Sequence, residues 1–104
     1  MVQFQFRIGR AFLDYHWHPI TIPKAHYPRL EQERLAEDFA SIESPFGGMP
    51  GSIVYSTAGY GPYYQIRMDS GSTRDPMSEF KLGQYITVEL ERVGKIVRVT
   101  LRTA

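Results

Sequence analysis

The chain contains no cysteine and no long apolar run among its 104 residues. The lack of cysteine excludes disulfides, thiolate zinc sites and a cysteine nucleophile. A membrane-spanning helix needs roughly 20 consecutive apolar residues, and no segment of the sequence reaches that length, so we expect no membrane partner. The first residues also lack the basic and apolar regions of a secretory leader, which favours a cytoplasmic location.

Net charge is scarce as well. Twelve Lys and Arg residues stand against eleven Asp and Glu residues, for a formal net charge of +1, which is too small for strong non-specific attraction to phosphate. The chain is instead rich in aromatic residues, with six Phe, seven Tyr and one Trp, and 42% of it is hydrophobic. This composition predicts a folded chain, and its length suits a single domain, residues 1–104, around one core.

Alternating apolar and polar residues predict a β-hairpin at the N-terminus. Residues 2–8 and 11–17 both alternate with the period of a half-buried strand. A glycine can adopt positive φ, so Gly9 suits the first position of a two-residue type II′ turn. In this register Phe6 lies opposite Leu13, and apolar residues meet on one face along the whole hairpin.

A second hairpin is predicted for residues 85–103, with a turn around residues 92–95. Its two arms alternate in the same way. The predicted register places Glu89 opposite Arg98, an opposite-charge cross-strand pair that contributes a few tenths to about 1 kcal/mol.

The middle of the chain predicts one helix, from about residue 28 to residue 42. Leu35, Phe39 and Ile42 fall on one side of such a helix, and proline at position 28 suits its first turn. Upstream, Pro19 and Pro23 predict an edge strand or an extended stretch between them, because proline cannot donate to a β-ladder.

Further strands are predicted for residues 52–57 and 63–68, and loops for residues 44–51 and 69–79. The resulting fold class is α+β and mostly β. About six short antiparallel strands form a small barrel or a strongly twisted sheet, and the amphipathic helix is inserted after the first hairpin. Strands that follow one another in sequence favour a meander.

Two histidines and a carboxylate form a candidate metal site. On the predicted strand Asp14, His16 and His18 share one face, and His26 could supply a third imidazole. These residue types are plausible zinc or iron ligands. The alternative is a solvated outer face of an edge strand, and no sequence motif for a metal or cofactor accompanies the row.

Exposed tyrosine and arginine residues form the candidate contact surface. On the strand predicted for residues 63–68, one face is apolar and the other faces outward, and the terminal hairpin has a second outward face of this kind. Such side chains stack bases and hold phosphates in oligonucleotide-binding barrels, and they also anchor protein interfaces. One further candidate is an aromatic side chain on the first loop. The candidates are Tyr63, Arg67, Tyr85, Arg98, Arg102 and Phe46.

Three functions remain open at this stage. We expect a small non-enzymatic binding module that acts through protein contacts, as an adaptor, inhibitor or assembly component, or by self-association through an exposed strand edge. The first alternative is a nucleic-acid-binding barrel that uses the exposed tyrosines and arginines. The second is a metal-dependent enzyme centred on the histidine row. The sequence predicts no catalytic residue outside that row and no cofactor.

Overall fold

A computed structural model describes residues 1–57, 59, 61–69 and 75–103, and for Glu37 and Asp38 it describes the backbone only. Part of the loop predicted for residues 69–79 therefore lies outside the described residues. In the described part of the chain seven strands form one sheet: β1 (Val2–Arg7), β2 (Ile20–Thr21), β3 (Glu37–Ser44), β4 (Gly47–Ser56), β5 (Tyr63–Met68), β6 (Tyr85–Val93) and β7 (Ile96–Thr103). The helical segments are α1 (Arg10–Asp14), α2 (Tyr27–Gln32) and 3-10 turns at Lys24–His26 and Pro76–Glu79.

The sheet has the strand order β1-β6-β7-β3-β4-β5-β2 and curls into a nearly closed barrel. The predicted mostly-β α+β fold with a small barrel is confirmed. The predicted meander is wrong, because β3 pairs in parallel with β7, the last strand in the sequence. All other neighbouring strands are antiparallel. No helix in the described part of the chain is long and apolar enough to span a membrane.

The barrel interior is a single apolar core. Side chains that alternate along each strand point inward and are almost completely buried. The two central strands show the pattern, with Ile42 of β3 and Val99 of β7 directly paired and both at 0% exposure. Burying a side chain of this size stabilises the fold by about 1.5–3 kcal/mol.

The predicted N-terminal hairpin is wrong. After Gly9 the chain forms the short helix α1, and β1 pairs with β6, so that Phe6 lies opposite Ile86. Gly9 has φ −109°, an extended conformation at the helix N-cap, and not the positive φ of a hairpin turn. In the folded chain β6 pairs with β1 along its whole length, and the helix buries Phe12 against Phe6 of β1.

The predicted helix is also wrong over most of its length. Helix α2 ends at Gln32, Arg34 has a positive φ of 54°, and β3 begins at Glu37. Within β3 the inward positions are occupied by Ala40 and Ile42, whereas Phe39 is 56% exposed. This segment forms a strand and not a helix because it lies between β4 and β7 and its backbone forms ladders with both.

The loop predicted for residues 44–51 is mostly strand, because β3 runs to Ser44 and β4 begins at Gly47, which leaves only residues 45 and 46 as the hairpin turn. The terminal hairpin is confirmed, but its register differs by two residues from the prediction. Val93 pairs with Ile96 across a two-residue turn in which Gly94 has φ 64°. Glu89 consequently lies opposite Thr100 and not opposite an arginine. A shift of two residues leaves every side chain on its predicted face.

Candidate binding groove at the barrel seam

A groove of about 870 Å³ opens between the two edges of the sheet. The two edge strands of the sheet are β1 and β2. Strand β2 is the segment between Pro19 and Pro23, and its edge position was predicted. One wall is built from β1 and α1, and the other from β2 and β5. We call this cleft the seam groove.

The helical wall carries a stacked aromatic pair. The rings of Tyr15 and Trp17 lie 4.6 Å apart with an interplanar angle of 15°. Helix α1 is held in place by Phe12, which is buried and contacts the rings of Phe6 and Phe80 at centroid distances of 6.0 Å. The carbonyl of Trp17 accepts a 2.7 Å hydrogen bond from the backbone at the end of β5. This end of the helical wall is therefore tied to the opposite wall, while Tyr15 remains 50% exposed.

The β5 wall presents the alternate residues Tyr63, Gln65 and Arg67. Arg67 Nε donates to Gln65 Oε1 at 2.8 Å, and Gln65 Nε2 donates to Thr21 Oγ1 at 3.1 Å. These two hydrogen bonds hold the stem of Arg67 along the strand. As predicted, the side chains between these positions in β5 are buried.

The charged side chains in the described lining of the groove are all basic. Arg7 and Arg67 line it, and none of the described lining residues is acidic. Neither arginine forms an ion pair with a carboxylate of residues 1–57, 61–69 or 75–103 whose side chain is described. Tyr85 of β6 is the cross-strand partner of Arg7 and is 55% exposed. A tyrosine and an arginine therefore stand on each side of the seam, Tyr85 with Arg7 and Tyr63 with Arg67.

The arginines of the terminal hairpin are balanced by carboxylates. Arg98 Nη2 lies 2.6 Å from Glu91 Oε1, and Arg102 Nη2 lies 2.7 Å from Glu89 Oε1. The hydrogen bond and the charge of Glu91 raise the pKa of Arg98 above its usual range. These two predicted contact residues therefore present less uncompensated charge than the groove arginines.

Phe46, on the tip of the β3–β4 hairpin, does not line the seam groove. Its ring packs edge-on against Phe80 at a centroid distance of 5.0 Å, and it remains 37% exposed. The side chain thus folds back partly onto the core and keeps an exposed edge.

The candidate metal ligands do not share a strand face, because the segment that carries them is not a strand. Asp14 ends α1, His16 is exposed beside the groove, His18 is buried, and the His26 ring packs on Phe4 at 5.7 Å. Among the described residues no group of three His, Asp or Glu side chains is placed to hold a metal ion. The predicted geometry of that site is therefore wrong.

His18 instead braces the helical wall. It is 2% exposed, with Nδ1 2.5 Å from the Phe12 carbonyl oxygen and Nε2 2.5 Å from Asp75 Oδ2. These two contacts tie the imidazole ring both to helix α1 and to the residue that precedes the 3-10 turn at Pro76–Glu79. Asp75 lies 57 residues away along the chain, and no sequence pattern indicated this contact.

Arg7, Tyr15 and Trp17 are among the lining residues that were not predicted from the sequence. Their only signal was their type, aromatic or arginine, and the incorrect hairpin placed the two aromatic residues inside the core. Comparisons with protein-family models, with curated proteins and with solved structures find no match to this chain.

Proposed function

We propose that this chain is a non-enzymatic binding module whose seam groove holds single-stranded nucleic acid. One observation carries the proposal: both walls of the same open groove are lined by aromatic rings and by arginines that form no ion pair with any carboxylate whose side chain the structure describes. The proposal extends the nucleic-acid interpretation of Tyr63, Arg67 and Tyr85. We expect the protein to act in the cytoplasm, on the sequence argument alone.

The chemistry of the walls matches the two parts of a nucleotide. Bases stack on exposed aromatic side chains, and each such contact contributes about 1–3 kcal/mol. The Tyr15–Trp17 pair and Tyr63 offer rings on opposite walls. Arginine binds phosphate with a planar fork of donors, and Arg7 and Arg67 supply one fork from each wall.

The charge of the molecule sets the expected strength. A net charge of +1 provides little long-range attraction, so the affinity rests on the groove contacts. Each phosphate neutralised on a single strand contributes about −0.7 to the slope of log K against log salt concentration. Two arginines predict a slope of about −1.4, well below that of a strongly basic protein.

The test uses Trp17, the single tryptophan of the chain, as an intrinsic probe. An oligothymidylate of about eight nucleotides is titrated into the protein at several salt concentrations. We expect quenching of Trp17 fluorescence as a base stacks beside it, with the salt slope given above. Polyphosphate serves as the second ligand, because it offers the charges without the bases.

Three charge-removing variants locate the site. Arg67→Gln should weaken oligonucleotide binding about tenfold, the loss of a charge-assisted contact of about 1.4 kcal/mol. Lys95→Gln removes the same charge from the exposed β6–β7 turn and should leave binding unchanged. A loss in Arg98→Gln without a loss in Arg67→Gln would move the site to the terminal hairpin. Absence of quenching at low salt, or equal binding of polyphosphate, would reject the proposal.

A protein partner is the second candidate, and the free edge of the sheet favours it. In the described sheet β1 pairs only with β6, so its other edge faces the groove. A partner strand could add to that edge through backbone hydrogen bonds, with Tyr85 and the exposed edge of Phe46 as further contacts. A complex recovered from a lysate that survives nuclease and is indifferent to Arg67→Gln would favour this candidate.

A further inference from the structure

A second groove of about 520 Å³ adjoins the seam groove. Thr21, Tyr63 and Gln65 line both, so these three side chains form the ridge at which the two grooves meet. Beyond the ridge lie Tyr27 and Lys24. The proposed function uses the seam groove and gives this second groove no role.

We infer that the two grooves form one track, and that the ligand is a polynucleotide strand rather than a mononucleotide. This inference rests on the proposed function of the seam groove. A mononucleotide would be satisfied by the stacked pair Tyr15–Trp17 and one arginine. It would leave the second groove unused, together with the cation that lines it.

All the charged side chains in the described lining of the two grooves are basic. Lys24 lines the second groove and is exposed on a 3-10 turn. It forms no ion pair with the side chains that the structure describes, and the described lining of this groove also contains no acidic residue. Lys24 can therefore meet a phosphate on the far side of the ridge from Arg67.

The length of the track also fits several nucleotides. From Tyr63 to Arg67 the β5 strand advances by about 13 Å, at about 3.3 Å per residue. Stacked nucleotides advance by about 3.4 Å along one strand of a duplex. The β5 wall alone thus matches about four stacked nucleotides, and Lys24 extends the track past Tyr63.

A length series tests the inference. Thymidine monophosphate, the dinucleotide, and oligothymidylates of about four and about eight nucleotides are titrated against the wild-type chain, Lys24→Gln and the control Lys95→Gln. We expect affinity to rise at least tenfold from the monophosphate to the octanucleotide. Lys24 adds a third cation to the two arginines, so the wild-type chain should show a salt slope of about −2.1 on the octanucleotide. Lys24→Gln should weaken octanucleotide binding about tenfold, return that slope to the value of about −1.4 set by the arginines alone, and leave monophosphate binding unaffected.

Two outcomes separate the inference from the proposed function. If the monophosphate binds as tightly as the octanucleotide and Lys24→Gln matches wild type at every length, the continuous track is overturned and the seam groove stands alone. If no length of thymidylate quenches Trp17, the proposed function fails and this inference fails with it. Lys24 is exposed, so we expect its variant to fold, and its thermal unfolding is compared with that of Lys95→Gln.

Discussion

Replacing Gly51 by alanine should destabilise the barrel and displace part of the groove at the same time. Gly51 is buried in β4 and pairs with Met68 of β5. A Cβ at this position would lie against the backbone carbonyl oxygen of Arg67 and against Ile42 Cδ1, closer than real Cβ atoms approach either. An isoleucine methyl can rotate away, but a carbonyl in a ladder cannot, so β4 and β5 must separate.

The magnitude follows from two effects. Overpacking a close-packed interior costs typically about 1–3 kcal/mol, and each weakened β4–β5 hydrogen bond adds about 1 kcal/mol. We therefore expect Gly51→Ala to lower the free energy of unfolding by about 2–4 kcal/mol. This is a large part of the roughly 5–15 kcal/mol typical of a domain, and it corresponds to a fall in Tm of at least about 10 °C.

Urea unfolding followed by Trp17 fluorescence measures the effect, and a double-mutant cycle divides it. Ile42→Val removes the Cδ1 atom at its own cost of about 0.5–1.5 kcal/mol. In the Ile42→Val background the destabilisation caused by Gly51→Ala should be smaller by no more than about 1 kcal/mol, because the clash with the Arg67 carbonyl remains. Gly9→Ala is the control, since an added Cβ there meets nothing within 4 Å. If Gly51→Ala proves as stable as this control, the close approach of β4 to β5 is refuted.

Three further predictions test other parts of the structure. Burial, together with the charge and hydrogen bond of Glu31, raises the pKa of Tyr64 above its usual 10.0. The folded chain therefore favours the neutral phenol. The resulting contribution to the free energy of unfolding is complete below about pH 10 and is lost as pH rises through the folded-state pKa. Tyr64→Phe should remove this alkaline loss from urea midpoints measured across that range. Asp75→Asn should cost about 1.5–3 kcal/mol in thermal unfolding by weakening the bond to His18, and an unchanged Tm would show that the bond is absent. Phe39→Ser should cost less than about 1 kcal/mol, because the ring is exposed; a loss of about 3–5 kcal/mol would instead indicate a buried helical position.

Local patterns predicted the elements whose partners lie nearby in sequence. The alternation of residues 63–68 corresponds to β5 without error at either end. The terminal hairpin was also evident, but alternation cannot distinguish registers that differ by two residues. Only the turn fixes the register. The positive φ of Gly94 marks a two-residue turn, so the last cross-strand pair is Val93–Ile96, which lies two residues further along β6 than predicted.

Distant partners explain the larger errors. Any amphipathic strand is complementary to β1, and its actual partner β6 begins about 80 residues downstream. The spacing of Leu35, Phe39 and Ile42 fits a helix when it is considered alone. It becomes a strand because β4 and β7 offer ladders on both sides, and neither ladder is visible from the segment itself.

The same error concealed the groove. A hairpin between residues 2–8 and 11–17 would have covered the outer edge of β1 and buried Tyr15 and Trp17. The chain instead forms helix α1, the aromatic pair lies in the segment that follows this helix, and the outer edge of β1 is left facing β2. Folding stability alone gives no reason to keep an open sheet edge beside a half-exposed aromatic stack, and proteins commonly cover or charge such edges. Because the arginines stand at this edge without a described carboxylate beside them, we infer that a ligand, and not the core, accounts for these residues.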